Sequence, residues 1–162
     1  MNKMHGLGSF LITLLLFSGV VGAETPVNEA SQANELATAI TVYKSPTCGC
    51  CTGWVEHLSE RGFEVTVESM EDVSPVKNRL KVPENLRSCH TAVINGYVVE
   101  GHVPAQDITR LLASGDQRTA GIAVPGMPHG TPGMETGRKD PFTVVAFDAD
   151  GNLGQFSRYE DY

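Results

Sequence analysis

Three cysteines fall within one short run, Cys48-Gly49-Cys50-Cys51, and a fourth, Cys89, is followed at once by His90. Cys48 and Cys51 have the CxxC spacing of dithiols that exchange disulfides. Cys50 complicates that chemistry, because a third thiol beside the pair competes to resolve any mixed disulfide. Three thiolates converging on one point instead suit Cu(I) or another soft ion. Further along the chain, His102, Met127, His129 and Met134 add imidazole and thioether groups, and Cys, His and Met together make a copper-favouring donor set. Zinc also takes Cys and His, but CxCC is not among the usual zinc-finger spacings. Two structural disulfides are the ordinary expectation for four cysteines in an exported chain. The crowding at Cys48, Cys50 and Cys51 argues against it, since a bridge there closes almost no loop. His57, next to Glu56, reads as a solvated helix residue, and Trp54 as core.

These side chains need elements to position them. Residues 39–43 form a β-branched and aromatic strand that ends at Lys44-Ser45-Pro46, and Thr47 is placed to cap a helix that begins at the cysteines. Thiols at a helix N-terminus face the positive end of its dipole, which favours thiolate. Trp54, Val55 and Leu58 recur at helical spacing before Gly62, and residues 63–67 alternate as a second strand. A short helix over residues 72–80 and a turn over residues 82–86 lead to Ser88-Cys89-His90-Thr91. Residues 92–94 and 97–100 flank Asn95-Gly96, a strong hairpin signal, and residues 105–113 form a further helix stopped by Gly115. The order β-α-β-α-β-β-α predicts an α/β, thioredoxin-like domain: a four-stranded mixed sheet flanked by helices on both faces. In that arrangement the loop before the third strand lies against the first helix N-terminus. Redox members usually carry proline there, whereas this chain runs Thr91-Ala92. A long Gly/Pro loop over residues 119–141 follows, by its length either functional or disordered, and able to fold over the thiols. An extra C-terminal β-hairpin, residues 142–159, packs on the same domain.

The chain has 162 residues, which at roughly 150 per domain is one domain plus an appendage. Lys and Arg total 12 against 19 Asp and Glu, a formal charge of −7, and no basic run exists, which excludes a nucleic-acid backbone as partner. With 41% hydrophobic residues, and 17 glycines and 9 prolines in no repeating period, the chain is globular and loop-rich. Residues 1–23 have the pattern of a secretory signal peptide: Lys3, an apolar run over residues 9–21, and Val21-Gly22-Ala23 before the cut. That run is shorter than the roughly 20 residues a membrane span needs, and no later segment could span a bilayer. Residues 24–38 are a polar lead-in, and residues 39–162 the domain. Export places the thiols where disulfides persist.

Four segments in this order resemble one family. They are Val42-Tyr43-Lys44-Ser45-Pro46-Thr47-Cys48-Gly49-Cys50-Cys51; Ser88-Cys89-His90-Thr91-Ala92; Val99-Glu100-Gly101-His102-Val103-Pro104; and Val124-Pro125-Gly126-Met127-Pro128 with Gly130 and Pro132-Gly133-Met134-Glu135. Together they are similar to the CopG-type copper-resistance proteins, an exported metal-binding family. The resemblance implies a thioredoxin-like domain that holds copper as Cu(I) in a multinuclear thiolate cluster. It further implies a periplasmic role in copper tolerance or Cu(I)/Cu(II) interconversion, with copper ions and other periplasmic copper-handling proteins as partners. Carried over residue by residue, Cys48, Cys50, Cys51 and Cys89 are the primary ligands and His102 the next, followed by His90, Met127 and Met134. His129 falls outside the family pattern. A chain that only holds copper and one that oxidises or reduces it would share these ligands. The alternative is a thiol-disulfide oxidoreductase with Cys48 as nucleophile and Cys51 as resolving thiol.

Overall fold

The computed structural model describes residues 38–162. The expected signal peptide, residues 1–23, and all but the last residue of the expected lead-in lie outside the described residues. The first strand of the described residues is β1 (Ala39–Lys44), where Ile40 and Val42 alternate with outward residues and are buried. α1 (Gly49–Ser59) follows and turns Trp54 and Leu58 inward. β2 (Glu64–Ser69) pairs parallel to β1, with α1 as the crossover between them. α2 (Ser74–Arg79) and a single 3-10 turn (Glu84–Leu86) lead to β3 (Thr91–Ile94) and β4 (Tyr97–Glu100). The β3–β4 turn is Asn95-Gly96 with φ of 47° and 82°, the left-handed pair that matches hairpin twist. α3 (Ala105–Ser114) comes next and ends at Gly115.

The sheet does not stop at four strands. β5 (Thr119–Ala123), β6 (Phe142–Asp148) and β7 (Leu153–Tyr159) continue it, and the order is β2-β1-β3-β4-β5-β6-β7 in one seven-stranded mixed sheet flanked by helices. The four-stranded expectation is therefore corrected, as is the reading of residues 119–123 as loop. β5 pairs parallel to β4 and antiparallel to β6, so it joins the expected sheet to the C-terminal hairpin. With neighbours on both sides, all four residues of β4 are buried. The larger of two apolar clusters runs from Ile40 and Trp54 through Val99 and Ile108 to Ile122 and Val144, and a second gathers Val82, Leu86, Val98, Ala123 and Phe147. No helix among the described residues is long and apolar enough to cross a membrane.

The start of α1 also departs from expectation. The cap position is Cys48, with φ −77° and ψ 97°, and not Thr47. Thr47 is instead engaged with Ser45: their hydroxyl oxygens are 3.1 Å apart, and the Thr47 N–H donates to Ser45 Oγ at 3.4 Å. This local turn satisfies Thr47 one residue before the helix and leaves a cysteine sulfur, that of Cys48, at its positive end.

Candidate metal centre

The β1–α1 junction and the segment before β3 bring the four cysteines together. One sulfur from each of Cys48, Cys50, Cys51 and Cys89 lies within 4.8 Å of every other. Sulfurs that share a tetrahedral ion at a metal–sulfur distance of about 2.3 Å stand about 3.8 Å apart, so the four are close enough to share an ion once none of them is bonded to another. Cys48 and Cys51 are joined as a disulfide, while Cys50 and Cys89 remain free thiols. Two free thiols exclude the arrangement in which all four cysteines serve as staples. Cys48 Sγ and Cys50 Sγ are 3.5 Å apart.

Cys89 also belongs to a second group, with His90 and His102, whose ligand atoms again lie within 4.8 Å of one another. His102 Nε2 is 3.1 Å from Cys89 Sγ, and His90 Nδ1 is 3.3 Å from it. His102 Nδ1 lies 2.8 Å from the Pro132 carbonyl oxygen. A carbonyl can only accept, so Nδ1 carries the proton and Nε2 turns its lone pair towards the sulfur. Metal-bound histidines are held in the same manner by a partner on the other ring nitrogen. His90 is fully buried, 4.4 Å from the Trp54 ring and 4.9 Å from the His102 ring between centroids, and its Nε2 has no hydrogen-bond partner. Burial lowers the pKa of both imidazoles; at His90 the charges of His102 and Lys77 lower it further. Burial thus favours the neutral form of both rings, which carries a lone pair. Burial, reinforced by Cys50, pushes the Cys89 thiol up to about 11, so a cation arriving there displaces a proton.

A buried charge pair that the sequence reading did not single out holds the Cys89-His90 dipeptide in place. Glu100, at the end of β4, accepts the Ser88 N–H on Oε1 at 2.6 Å and the Thr91 hydroxyl on Oε2 at 2.5 Å. Lys77 of α2 donates to Glu100 Oε1 at 2.5 Å and to Thr91 Oγ1 at 2.7 Å. One carboxylate therefore grips the residues on either side of Cys89 and His90, and the ammonium neutralises it where water has no access. Burial raises the Glu100 pKa and Lys77 acts against that rise.

The segment of residues 124–141 supplies the remaining expected groups unevenly. It starts beside the thiols, where Ser88 Oγ donates to the Gly126 carbonyl, and it packs on α1 at Gly133. Met134 is half-buried next to that contact, whereas Met127 is 52% exposed. His129 is occupied within the segment, with Nδ1 2.7 Å from Thr136 Oγ1. Trp54 is core as expected and donates from Nε1 to the Val103 carbonyl at 2.8 Å. His57 is half-buried and not solvated: its Nε2 accepts the Ala105 N–H at 3.2 Å.

The family model DUF411, described as a protein of unknown function, matches residues 86–134, the stretch from the 3-10 turn through Cys89, His90 and His102 to Met134. No curated protein matches the chain. Two solved structures do, both titled copper resistance protein CopG. Form 2 is 47% identical, with a TM-score of 0.72 over 75% of this chain and 98% of that one. Form 1 has the same identity and TM-score over 76% of this chain and 98% of that one.

Proposed function

The chain belongs to the family of the copper resistance protein CopG, and from that premise we propose that it is an exported copper-binding protein that holds Cu(I) in a multinuclear thiolate cluster for periplasmic copper tolerance. The observation that carries the reading is the convergence of four cysteine sulfurs within 4.8 Å. Soft thiolates select Cu(I), and sulfurs this close can bridge ions as well as bind one. In this reading Cys48, Cys50, Cys51 and Cys89 are the ligands, His102 and His90 supply imidazole nitrogen at the Cys89 side, and Met134 and Met127 supply thioether from the segment above. The first four strands with their helices are read as a thioredoxin-like domain to which β5, β6 and β7 are added. Interconversion of Cu(I) and Cu(II) is compatible with a donor set that mixes sulfur and imidazole, since imidazole serves Cu(II) as well.

Full loading requires four thiols, and the Cys48–Cys51 disulfide withholds two of them. Reducing it consumes two electrons and two protons. The test is anaerobic reconstitution with Cu(I), after reduction and without it, followed by removal of excess metal. The reduced protein should retain more than one copper ion per chain, the disulfide form fewer, and reduced Cys50→Ser fewer than the reduced wild type. Unchanged stoichiometry in Cys50→Ser would count against the cluster.

The disulfide also favours a second reading, thiol-disulfide exchange through Cys48 and Cys51. Disulfide-reductase activity of the metal-free protein towards insulin, lost in Cys51→Ser, would support it. Tight Cu(I) binding with no such activity would exclude it.

A further inference from the structure

We propose that Pro132 is a positioning residue: its carbonyl, carried on a strap formed by residues 124–135, sets which imidazole nitrogen of His102 carries the proton and so leaves the Nε2 lone pair facing Cys89. The inference rests on the copper-binding reading for its use, but not for its geometry. His102 is completely buried, so no bulk water competes for its ring nitrogens. A neutral imidazole has one N–H to place, and the two placements differ sharply here. With the proton on Nδ1, it is donated to Pro132 O at 2.8 Å and the Nε2 lone pair points to Cys89 Sγ at 3.1 Å. With the proton on Nε2, two lone pairs would face each other at Nδ1 and the carbonyl, and no lone pair would be left for a metal at the sulfur. Losing a buried hydrogen bond to a group that cannot be satisfied otherwise is expensive. The carbonyl therefore selects the ligating form.

What holds that carbonyl in position is the seating of Gly133 on α1. Gly133 has φ 81°, in the left-handed region, and a Cβ there would strike the Cys50 carbonyl oxygen and come within 2.6 Å of the Trp54 nitrogen. On the other side of the contact, a Cβ at Gly53 would stand 3.0 Å from the Gly133 Cα. The two backbones meet with nothing between them, one turn above the cysteines. The strap is braced from within as well: the Gly133 N–H donates to Glu135 Oε1 at 3.0 Å, Met134 N–H to the Thr131 carbonyl at 2.8 Å, and Gly130 N–H to the Met134 carbonyl at 2.8 Å. Its other end is tied to β4, where the Val124 N–H donates to the Glu100 carbonyl at 2.9 Å, and to the segment that carries Cys89, where Ser88 Oγ donates to the Gly126 carbonyl. It thus runs from the segment that carries Cys89 to the helix that carries Cys50, and Pro132 lies where it passes His102.

The tautomer is read directly from the nitrogen-15 shifts and ring couplings of His102 in the metal-free protein at neutral pH. The Nδ1–H form should dominate; dominance of Nε2–H would overturn the proposal without any variant. Gly133→Ala lifts the strap from α1 and should turn His102 into a mixture of tautomers and weaken Cu(I) binding about 10- to 100-fold, the usual cost of losing such a partner. Gly137→Ala is the control. It also places a side chain at positive φ, 82°, in the same segment but meets nothing within 4 Å, and it should change neither readout. A Gly133→Ala protein that keeps both the wild-type tautomer and the wild-type affinity would overturn the proposal. Wild-type protein that shows the Nδ1–H form yet retains no Cu(I) would support the role of Pro132 while overturning the copper reading.

Discussion

Each candidate ligand is only as well placed as its neighbours make it, and at Cys89 and His90 the neighbour that matters is Glu100. Its carboxylate is acceptor-only, and it meets three donors: the Ser88 N–H, the Thr91 hydroxyl and the Lys77 ammonium. Glu100→Gln keeps the shape but leaves Lys77 buried without a counter-charge, and removing one partner of a buried pair costs about 3–5 kcal/mol. Urea unfolding of the metal-free protein should show a loss of that size, and Lys77→Met in the same chain should restore a large part of it. A loss under about 1 kcal/mol would mean that the pair contributes no more than a surface ion pair. This residue was not legible in the sequence for a plain reason. Lys77 and Glu100 lie on different elements, and each taken alone has the composition of a solvated face. The four cysteines were legible because soft donors crowded at a strand–helix junction have few other uses. Their oxidation state was not, since CxxC spacing serves a disulfide and a metal equally well.

At the scale of elements, the helices and hairpins that announce themselves by period and turn chemistry are where the sequence places them, and β5 is the exception. Its five residues, Thr119-Ala120-Gly121-Ile122-Ala123, are mostly small and show no alternation of bulk. The reason lies in its neighbours. A Cβ at Gly121 would strike the Val98 carbonyl oxygen of β4 and stand 2.6 Å from Phe147 Cζ of β6. Tertiary crowding selects residues that local propensity reads as loop. His57 was misjudged for a related reason: the N-terminus of α3 docks on the last turn of α1, and the imidazole takes up the Ala105 N–H that the start of α3 leaves over. That bond needs an unprotonated Nε2. Burial, and then the charge of Arg61, lower the His57 pKa from 6.5 to about 4. Above pH 6.5 the imidazole is neutral in folded and unfolded chains alike, and its contribution is complete. Between pH 6.5 and about 4 the unfolded chain binds a proton that the folded chain does not, so stability falls as the pH falls and levels off below. Denaturation curves of wild type and His57→Gln should therefore converge on acidification from pH 7 to pH 4. Parallel curves would show that His57 takes up its proton as readily in the folded state and that the joint between α1 and α3 is not pH-sensitive.

Across the whole molecule, the C-terminal hairpin is an integral part of the domain that holds the site. Phe142, Val144 and Phe147 of β6 are buried, and Phe142 and Val144 belong to the same core cluster as Trp54 and Ile122. At about 1.5–3 kcal/mol for each large apolar side chain, their removal alone approaches the 5–15 kcal/mol that a whole domain has to spare. The hairpin also satisfies a buried acid on α3, since Asp107 accepts the Ser157 hydroxyl at 2.8 Å and the Tyr159 hydroxyl at 2.7 Å. The last residue reaches back to the strap region: the Tyr162 hydroxyl donates to the carbonyls of His129 at 3.1 Å and Asp140 at 3.0 Å. A chain stopped at Asp140 should thus lose its single cooperative urea transition and its near-ultraviolet dichroism, and with them the Cu(I) binding proposed above. A chain stopped at Glu160 gives up only the Tyr162 contacts. It should unfold cooperatively, yet bind Cu(I) more weakly than the full chain because the strap is no longer tied at His129. If the chain stopped at Asp140 kept a sharp transition and full copper loading, the four strands expected from the sequence would be a self-sufficient domain after all. The continuous core from Ile40 to Val144 argues that they are not.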